Sequence, residues 1–95
     1  MRVVSHPETD RELKTATQWY ELRELGMGEA FIDEFESALQ LIVGDPRRPR
    51  KIRGSYRKRN LRRFPYAIIY SVRDDVIYVK ALMHLHRRPF YWARR

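Results

Sequence analysis

The most informative part of this 95-residue chain for its fold is Tyr66–Leu85, YAIIYSVRDDVIYVKALMHL. Its two halves, Tyr66–Arg73 and Val76–Leu85, are rich in Tyr, Ile and Val, the residue types that strands favour. In the first half, the even-numbered residues would share one face of a sheet and the odd-numbered residues the other. The pair Asp74-Asp75 between the halves predicts a tight turn, so the two strands should form an antiparallel hairpin.

A third strand is predicted just before this hairpin. The run Tyr56–Phe64, YRKRNLRRF, ends at Pro65, and strands this close in sequence form an antiparallel meander. Its cations would project on both sides: Arg57, Lys58, Arg59, Arg62 and Arg63. No strand buries that many cations on a core face, so this one should be twisted or at an edge, with its charges reaching an open face. That open face is the candidate binding surface.

Two helices are predicted upstream of the meander. An apolar pair at residues 3–4 is sufficient for one short strand, and a capping-box pattern starting at Ser5 predicts a helix that ends near Gly26. Apolar residues at helical spacing predict a second helix over residues 29–43, with Gly44 as its C-cap. The short glycine-containing connection makes the pair a helix hairpin.

Together these elements predict one α+β domain over residues 1–95. It has an N-terminal strand, a two-helix hairpin and a three-stranded antiparallel meander, with the helices packed on one face of the sheet. A composition of 43% hydrophobic and 13% aromatic residues excludes a disordered chain. No apolar run approaches the ~20 residues of a spanning helix. With no secretory leader and no cysteine, we expect a cytoplasmic protein without disulfides or a membrane partner.

The net charge of +8 is divided unequally along the chain. Residues 1–45 hold four Lys or Arg against ten Asp or Glu, whereas residues 46–95 hold sixteen against two. The basic half includes the loop Asp45–Ser55, DPRRPRKIRGS, which follows neither a helical nor a strand period. Such asymmetry favours a polyanionic or acidic partner, with nucleic acid first among them. The alternative is an acidic layer packed on a basic one.

The basic half also carries residues that could perform acid–base chemistry. His84 and His86 would share a strand face, but a third metal ligand is missing nearby, so we expect no metal and no cofactor. A metal-free ribonuclease needs a base, an acid and a cation near the phosphate. His84, His86 or Tyr91 could fill the proton-transfer roles, with Arg87 and Lys58 as cations. A purely structural role for the histidines is equally open.

Aromatic side chains accompany the cations of the C-terminal half. Tyr56, Phe90, Tyr91 and Trp92 are candidates for stacking on exposed bases, while Lys and Arg would neutralise phosphates. The alternative is that Tyr91 and Trp92 close the core beneath the C-terminal tail, the more common position for such residues.

Several motifs resemble the RelE/ParE superfamily of bacterial toxins. The C-terminal half carries RRFPYAIIYSV at Arg62–Val72 and IYVKALMHLHRRPFYWARR at Ile77–Arg95. The N-terminal half is similar to the ParE-type members through WYE at Trp19–Glu21, GMGEAF at Gly26–Phe31 and FESALQLIVGDP at Phe35–Pro46. The resemblance implies the same strand–helix–helix–meander fold. It also implies a growth-inhibiting toxin of a plasmid-stabilization type, held by a cognate antitoxin in a hetero-oligomer.

Two activities are implied by this resemblance. RelE-like members cut mRNA on the ribosome without metal, using Lys and Arg on the sheet and a C-terminal Tyr, whereas ParE-like members poison DNA gyrase. Lys58 and Arg87 match the RelE-like basic positions. Asn60 and Ala67 replace two further cations, and the spacing of Tyr91 differs. We therefore expect a ParE-like gyrase poison. The alternatives are a ribosome-dependent endoribonuclease and a nucleic-acid-binding module that is not a toxin.

The candidate site residues follow from these alternatives. The catalytic candidates, relevant only to a nuclease, are Arg87, Lys58, His84 and Tyr91. The target-binding candidates are Arg57, Lys58, Arg59, Arg62, Arg63, His86, Arg87, Arg88, Tyr91 and Trp92. The antitoxin is expected to dock an acidic, partly apolar segment over the sheet and the helices, where Ile32 and Val43 lie off the main apolar stripe of the second helix.

Overall fold

Two helices and five strands make up the fold in the computed structural model, which describes all of residues 1–95. In chain order they are β1 (Arg2–Ser5), α1 (Pro7–Arg23), α2 (Met27–Gly44), β2 (Lys51–Arg53), β3 (Tyr56–Asn60), β4 (Tyr66–Arg73) and β5 (Val76–His84). The strands form one sheet in the order β1-β5-β4-β3-β2. Strand β1 runs parallel to β5, and every other neighbouring pair is antiparallel. The predicted α+β architecture with its antiparallel meander is therefore confirmed.

The start of α1 differs from the predicted capping box. Ser5 belongs to β1, where it is in register with Val79 of β5. The N-cap is His6, whose Nδ1 accepts a hydrogen bond from the backbone N–H of Glu8 at 3.0 Å. An imidazole nitrogen can replace the usual hydroxyl or carboxylate at this position because it is also a hydrogen-bond acceptor close to the backbone.

The segment between α2 and β3 contains a strand that the sequence pattern did not predict. Lys51–Arg53 forms β2, which pairs with β3 at the edge of the sheet. The helix before it also extends one residue further than expected, since Gly44 is helical and Asp45 is the C-cap. Because β2 has only three residues and two of them are cations, it carries no apolar alternation for a pattern to detect.

Strand β3 is shorter than predicted and ends at Asn60 rather than Phe64. The chain then turns, so that Leu61 and Phe64 both point into the core. This turn is held by Glu34 of α2, whose Oε1 accepts hydrogen bonds from the backbone N–H groups of Arg62 at 2.6 Å and Arg63 at 2.9 Å. A long-range contact therefore terminates the strand.

The main core lies between the helices and one face of the sheet. Its largest fully buried side chains include Phe31 and Ile42 of α2 and Ile68 and Tyr70 of β4. A second, smaller cluster lies on the opposite face, where Trp92 of the C-terminal tail packs on Ile69 and Ala81. The face that was predicted to be open is thus partly covered, because β4 carries apolar side chains on both sides. Neither helix has the combination of length and apolarity that crossing a bilayer requires.

Candidate functional site

The C-terminal tail, residues 85–95, is anchored to α1 by a single carboxylate. Glu12 receives two hydrogen bonds from the guanidinium of Arg95, from Nη1 to Oε1 at 2.8 Å and from Nη2 to Oε2 at 2.7 Å. Oε1 also accepts the backbone N–H of Leu82 at 3.0 Å, and Oε2 accepts the Tyr91 hydroxyl. Strand β1 pairs with β5 only as far as Val79. Beyond that point, Glu12 supplies the hydrogen-bond acceptor for a backbone N–H on the edge of β5.

Backbone contacts with β5 complete this anchor. Arg95 Nη1 donates to the carbonyl oxygen of Lys80 at 3.0 Å, and Lys80 Nζ donates to the carbonyl oxygen of Arg95 at 2.5 Å. Lys80 is the residue that β4 leaves unpaired, where the β4–β5 register shifts between Ile69 and Tyr70. The last residue of the described chain is therefore attached to both a helix and a strand.

The anchored tail determines the position of two predicted target-binding aromatics. Trp92 is only 1% exposed, so it is a core residue rather than the binding residue that was predicted. Tyr91 is half-buried, and burial, followed by its hydrogen bond to Glu12, raises the pKa of its hydroxyl. Its hydroxyl donates a hydrogen bond to Glu12, the carboxylate that also binds Arg95. The guanidinium of Arg87 lies 4.0 Å from the centre of the Tyr91 ring.

Lys58 and Arg87, from opposite ends of the meander, are brought together in one groove. This groove has a volume of about 290 Å³. Its apolar wall includes Leu85 and Phe90, and Trp92 contributes to its lining. The juxtaposition arises because Lys58, opposite Ile69 in the register, and the residues after β5 lie on the same, tail-bearing face of the sheet.

A second groove shares Phe90 with the first. It has a volume of about 520 Å³, and its cations are Arg53, Arg88 and Arg94. The guanidinium of Arg53, from β2, lies 4.7 Å from the centre of the Phe90 ring. Phe90 therefore separates two basic grooves, and we call this pair of grooves with Phe90 the tail groove pair.

His84 and His86 lie apart from these grooves. Their rings are 5.3 Å apart, and Nδ1 of His84 accepts the backbone N–H of His86 at 3.1 Å. His84 also packs edge-on against Tyr66 and lines a cavity of about 300 Å³ beside α1, on the helix side of the sheet. Arg87 borders both this cavity and the Lys58 groove. No group of three or more His, Asp or Glu side chains is placed to hold a metal ion.

The remaining cations of the meander have different environments. Arg57 supports the loop after α2, because its Nη1 donates to the carbonyl oxygens of Arg47 at 2.9 Å and Pro49 at 2.5 Å. Arg59 is half-buried on the helix side, and its Nε is buried without a protein partner. Arg62 and Arg63 are exposed in the turn after β3. Of the four arginines, only the last two present their charge freely.

Exposed apolar side chains cluster at the end of α1, where the sequence pattern did not predict a binding surface. Leu22 is 85% exposed and Leu25 is 90% exposed. Trp19, three residues before Leu22 on the same helix, is 48% exposed, and the guanidinium of Arg23 lies 3.5 Å from the centre of its ring. By contrast, Val43 packs against the main core. The signal that was missed is the recurrence of large apolar residues at every third position, Trp19, Leu22 and Leu25.

Comparisons with known proteins agree with this geometry. The fold is similar to a solved structure described as the chromosomal ParDE TA system from P. aeruginosa, with a TM-score of 0.67 at 14% identity, over 90% of this chain and 97% of that chain. At this identity the likeness concerns the fold alone. No curated protein sequence matches the chain significantly. The sequence model of the ParE toxin of type II toxin-antitoxin system, parDE, matches residues 3–89. Since that match spans most of the sequence, the chain belongs to the ParE toxin family of type II toxin–antitoxin systems.

Proposed function

We propose that this chain arrests bacterial growth by poisoning DNA gyrase and that a cognate antitoxin neutralises it. The observation that carries the proposal is the match of the ParE toxin family to residues 3–89. The chain would act by binding gyrase or its complex with DNA, without catalytic turnover of its own. Exposed cations of the sheet and tail, among them Lys58, Arg62, Arg63, Arg87 and Arg88, would supply the contact.

The arrangement of the catalytic candidates supports binding over RNA cleavage. Lys58 and Arg87 share one groove, whereas His84 lies on the helix side of the sheet. The hydroxyl of Tyr91 donates to Glu12, and its raised pKa opposes ionisation. A general acid or base must be within hydrogen-bond reach of the proton it transfers, and neither His84 nor Tyr91 lines the groove that holds Lys58 and Arg87.

The two positions that depart from the RelE-like pattern support the same conclusion. Asn60 and Ala67 are directly opposite each other in the register of β3 and β4. Neither side chain is charged or can ionise, so no cation and no titratable group is present at that pair of positions. The phosphorane of RNA cleavage would have fewer cations around it than the RelE-like set supplies.

Induced expression in a bacterial host, followed by assays on purified gyrase, tests this proposal. We expect growth arrest, altered DNA supercoiling and accumulation of gyrase-dependent DNA cleavage. The double substitution Arg62→Gln/Arg63→Gln should weaken the gyrase effect, while Lys14→Gln, an exposed charge on α1, should leave it unchanged. Normal growth would contradict any toxin activity. Growth arrest with unaltered supercoiling would exclude the gyrase mechanism.

The second candidate function is a ribosome-dependent endoribonuclease. The observation in its favour is that Lys58 and Arg87, far apart in sequence, line one groove. This mechanism predicts that translation stops first and that mRNA is cut in cells expressing the chain. It also predicts that Lys58→Gln abolishes the cutting while DNA supercoiling stays normal.

The antitoxin would meet both the apolar and the basic surfaces of the chain. We propose that an acidic, partly apolar segment covers the exposed side chains of the helix hairpin, Leu22, Leu25 and Leu41, and extends over the cations of the sheet. Ile32 and Val43, both half-buried, would contribute less area than these leucines.

The test of this antitoxin surface is the affinity for the small acidic protein encoded in the adjacent reading frame. Leu25→Ser should weaken it, and added salt should weaken it further. An affinity independent of salt would contradict the charge contribution.

A further inference from the structure

Phe90 has a backbone conformation that is rare for an aromatic residue. Its φ is 57°, in the left-handed region, where a side chain larger than Asn or Asp is disfavoured. Phe90 is nevertheless 39% exposed, so deep burial of its side chain does not account for this conformation. Backbone strain of this kind persists where the surrounding structure enforces it, and it concentrates at ligand-binding positions.

The ring of Phe90 has one aromatic neighbour and one cationic neighbour. The edge of the ring contacts Trp92, with 5.8 Å between ring centres, and Arg53 lies over it at 4.7 Å. Trp92 is in turn fixed in the second core cluster, and Arg95 ties the end of the tail to Glu12. The aromatic platform is therefore ordered before any ligand arrives, which lowers the entropic cost of binding.

The charge of the tail groove pair is of one sign. The two grooves contain five cations, Arg53, Lys58, Arg87, Arg88 and Arg94, and no Asp or Glu lines either of them. Pro89 and Phe90 line both grooves and supply the apolar surface between them. An exposed ring between two rows of cations matches a ligand that alternates a flat aromatic group with anionic groups on either side.

We propose that the tail groove pair binds single-stranded nucleic acid, with one unpaired base on Phe90 and the flanking phosphates in the two grooves. Stacking on an aromatic ring requires a base whose face is free, so a single strand should bind more tightly than a duplex. This inference goes beyond the gyrase proposal and does not depend on it, because it concerns the chain alone with an oligonucleotide.

Fluorescence anisotropy with labelled oligonucleotides of about 12 residues, oligo-dT and oligo-U, tests the proposal on the full chain. We expect both single strands to bind and a DNA duplex of equal length to bind less well. Phe90→Asn keeps a residue that tolerates the left-handed backbone while removing the ring, and it should weaken binding about tenfold. Phe90→Trp, which keeps an aromatic ring, should bind about as tightly as the unmodified chain. Preference between oligo-dT and oligo-U shows whether DNA or RNA is the better ligand.

Matched controls separate stacking from general charge attraction. Trp19→Ala removes another exposed aromatic that contacts an arginine, from the helix side of the fold, and Lys14→Gln removes one exposed charge. Neither substitution should change the affinity for the oligonucleotide. Arg94→Gln should weaken it and reduce the salt dependence. Absence of binding at low salt would overturn the proposal. A duplex that binds as tightly as the single strand would also overturn it, and so would an unchanged affinity of Phe90→Asn. If polyglutamate then binds as tightly as the oligonucleotides, the grooves are a surface for acidic peptides. The growth and supercoiling assays test the gyrase proposal separately, so failure of oligonucleotide binding would not by itself contradict that proposal.

Discussion

Glu12 of α1 and Arg95 at the end of the tail form a two-point ion pair that joins residues 83 positions apart in the chain. Their side chains are only 14% and 12% exposed, so the pair is largely shielded from water. The same carboxylate accepts the Tyr91 hydroxyl and the Leu82 backbone N–H. One side chain thus organises the tail, the edge of β5 and the first helix, and the grooves beside the tail depend on it.

Removing the charge of Glu12 should destabilise the whole fold. Glu12→Gln leaves the guanidinium of Arg95 shielded from water without its counter-charge, so we expect a loss of about 2 kcal/mol in the free energy of unfolding. Urea unfolding measures it. The control is Glu8→Gln, because Glu8 pairs with Arg11 on the surface, where both side chains are well exposed, and should cost less than about 0.5 kcal/mol. Equal losses for the two variants would contradict the anchoring role of Glu12.

Trp92 should contribute far more to stability than Trp19 does. Trp92→Ala removes a fully buried ring from the second core cluster and should cost about 3 kcal/mol, whereas Trp19 is 48% exposed and Trp19→Ala should change little. Trp92→Phe should cost less than Trp92→Ala, because it keeps a ring and removes an Nε1–H that has no protein partner. Chemical unfolding of the three variants measures these differences. A small effect of Trp92→Ala would show that the tail is not docked in solution.

The left-handed backbone of Phe90 should cause two substitutions at this position to differ in stability. Phe90→Ala and Phe90→Asn both remove the ring, but only Asn tolerates φ near 57° at low cost. We therefore expect the Asn variant to be more stable than the Ala variant by about 0.5–1 kcal/mol. Thermal or urea unfolding of the two proteins tests this. A more stable Ala variant would mean that residue 90 is not left-handed.

Tyr91 should make the stability of the chain sensitive to alkaline pH. Burial, and then the hydrogen bond to Glu12, raises the pKa of Tyr91 above its ordinary value in an unfolded chain. The stabilisation is therefore complete below the unfolded pKa of about 10 and is lost as the pH rises through the higher folded pKa. Tyr91→Phe cannot ionise. Its disadvantage relative to the unmodified chain should shrink when urea unfolding is repeated at about pH 11 instead of about pH 8. A constant difference between the two proteins would contradict this account.

The elements that could be predicted from the sequence are those whose signals are local. The apolar alternation of β4 and β5 with the Asp74-Asp75 turn, and the helical spacing along α2, predict those elements because neighbouring residues alone create the pattern. The motifs of the RelE/ParE superfamily likewise lie in continuous stretches, and they predicted the family correctly. The asymmetry of charge was also a property of the sequence alone.

The positions of the tail and of the short edge strand depend on contacts between distant parts of the chain. Strand β2 exists because β3 offers it a pairing edge, and Trp92 is buried because β4 is apolar on the face away from the helices. Nothing near Glu12 in sequence indicates that it meets Arg95. Contacts between residues so far apart leave no periodicity in the chain. Their stability comes from burial and charge pairing, and these exist only once the helices, the sheet and the tail have been assembled.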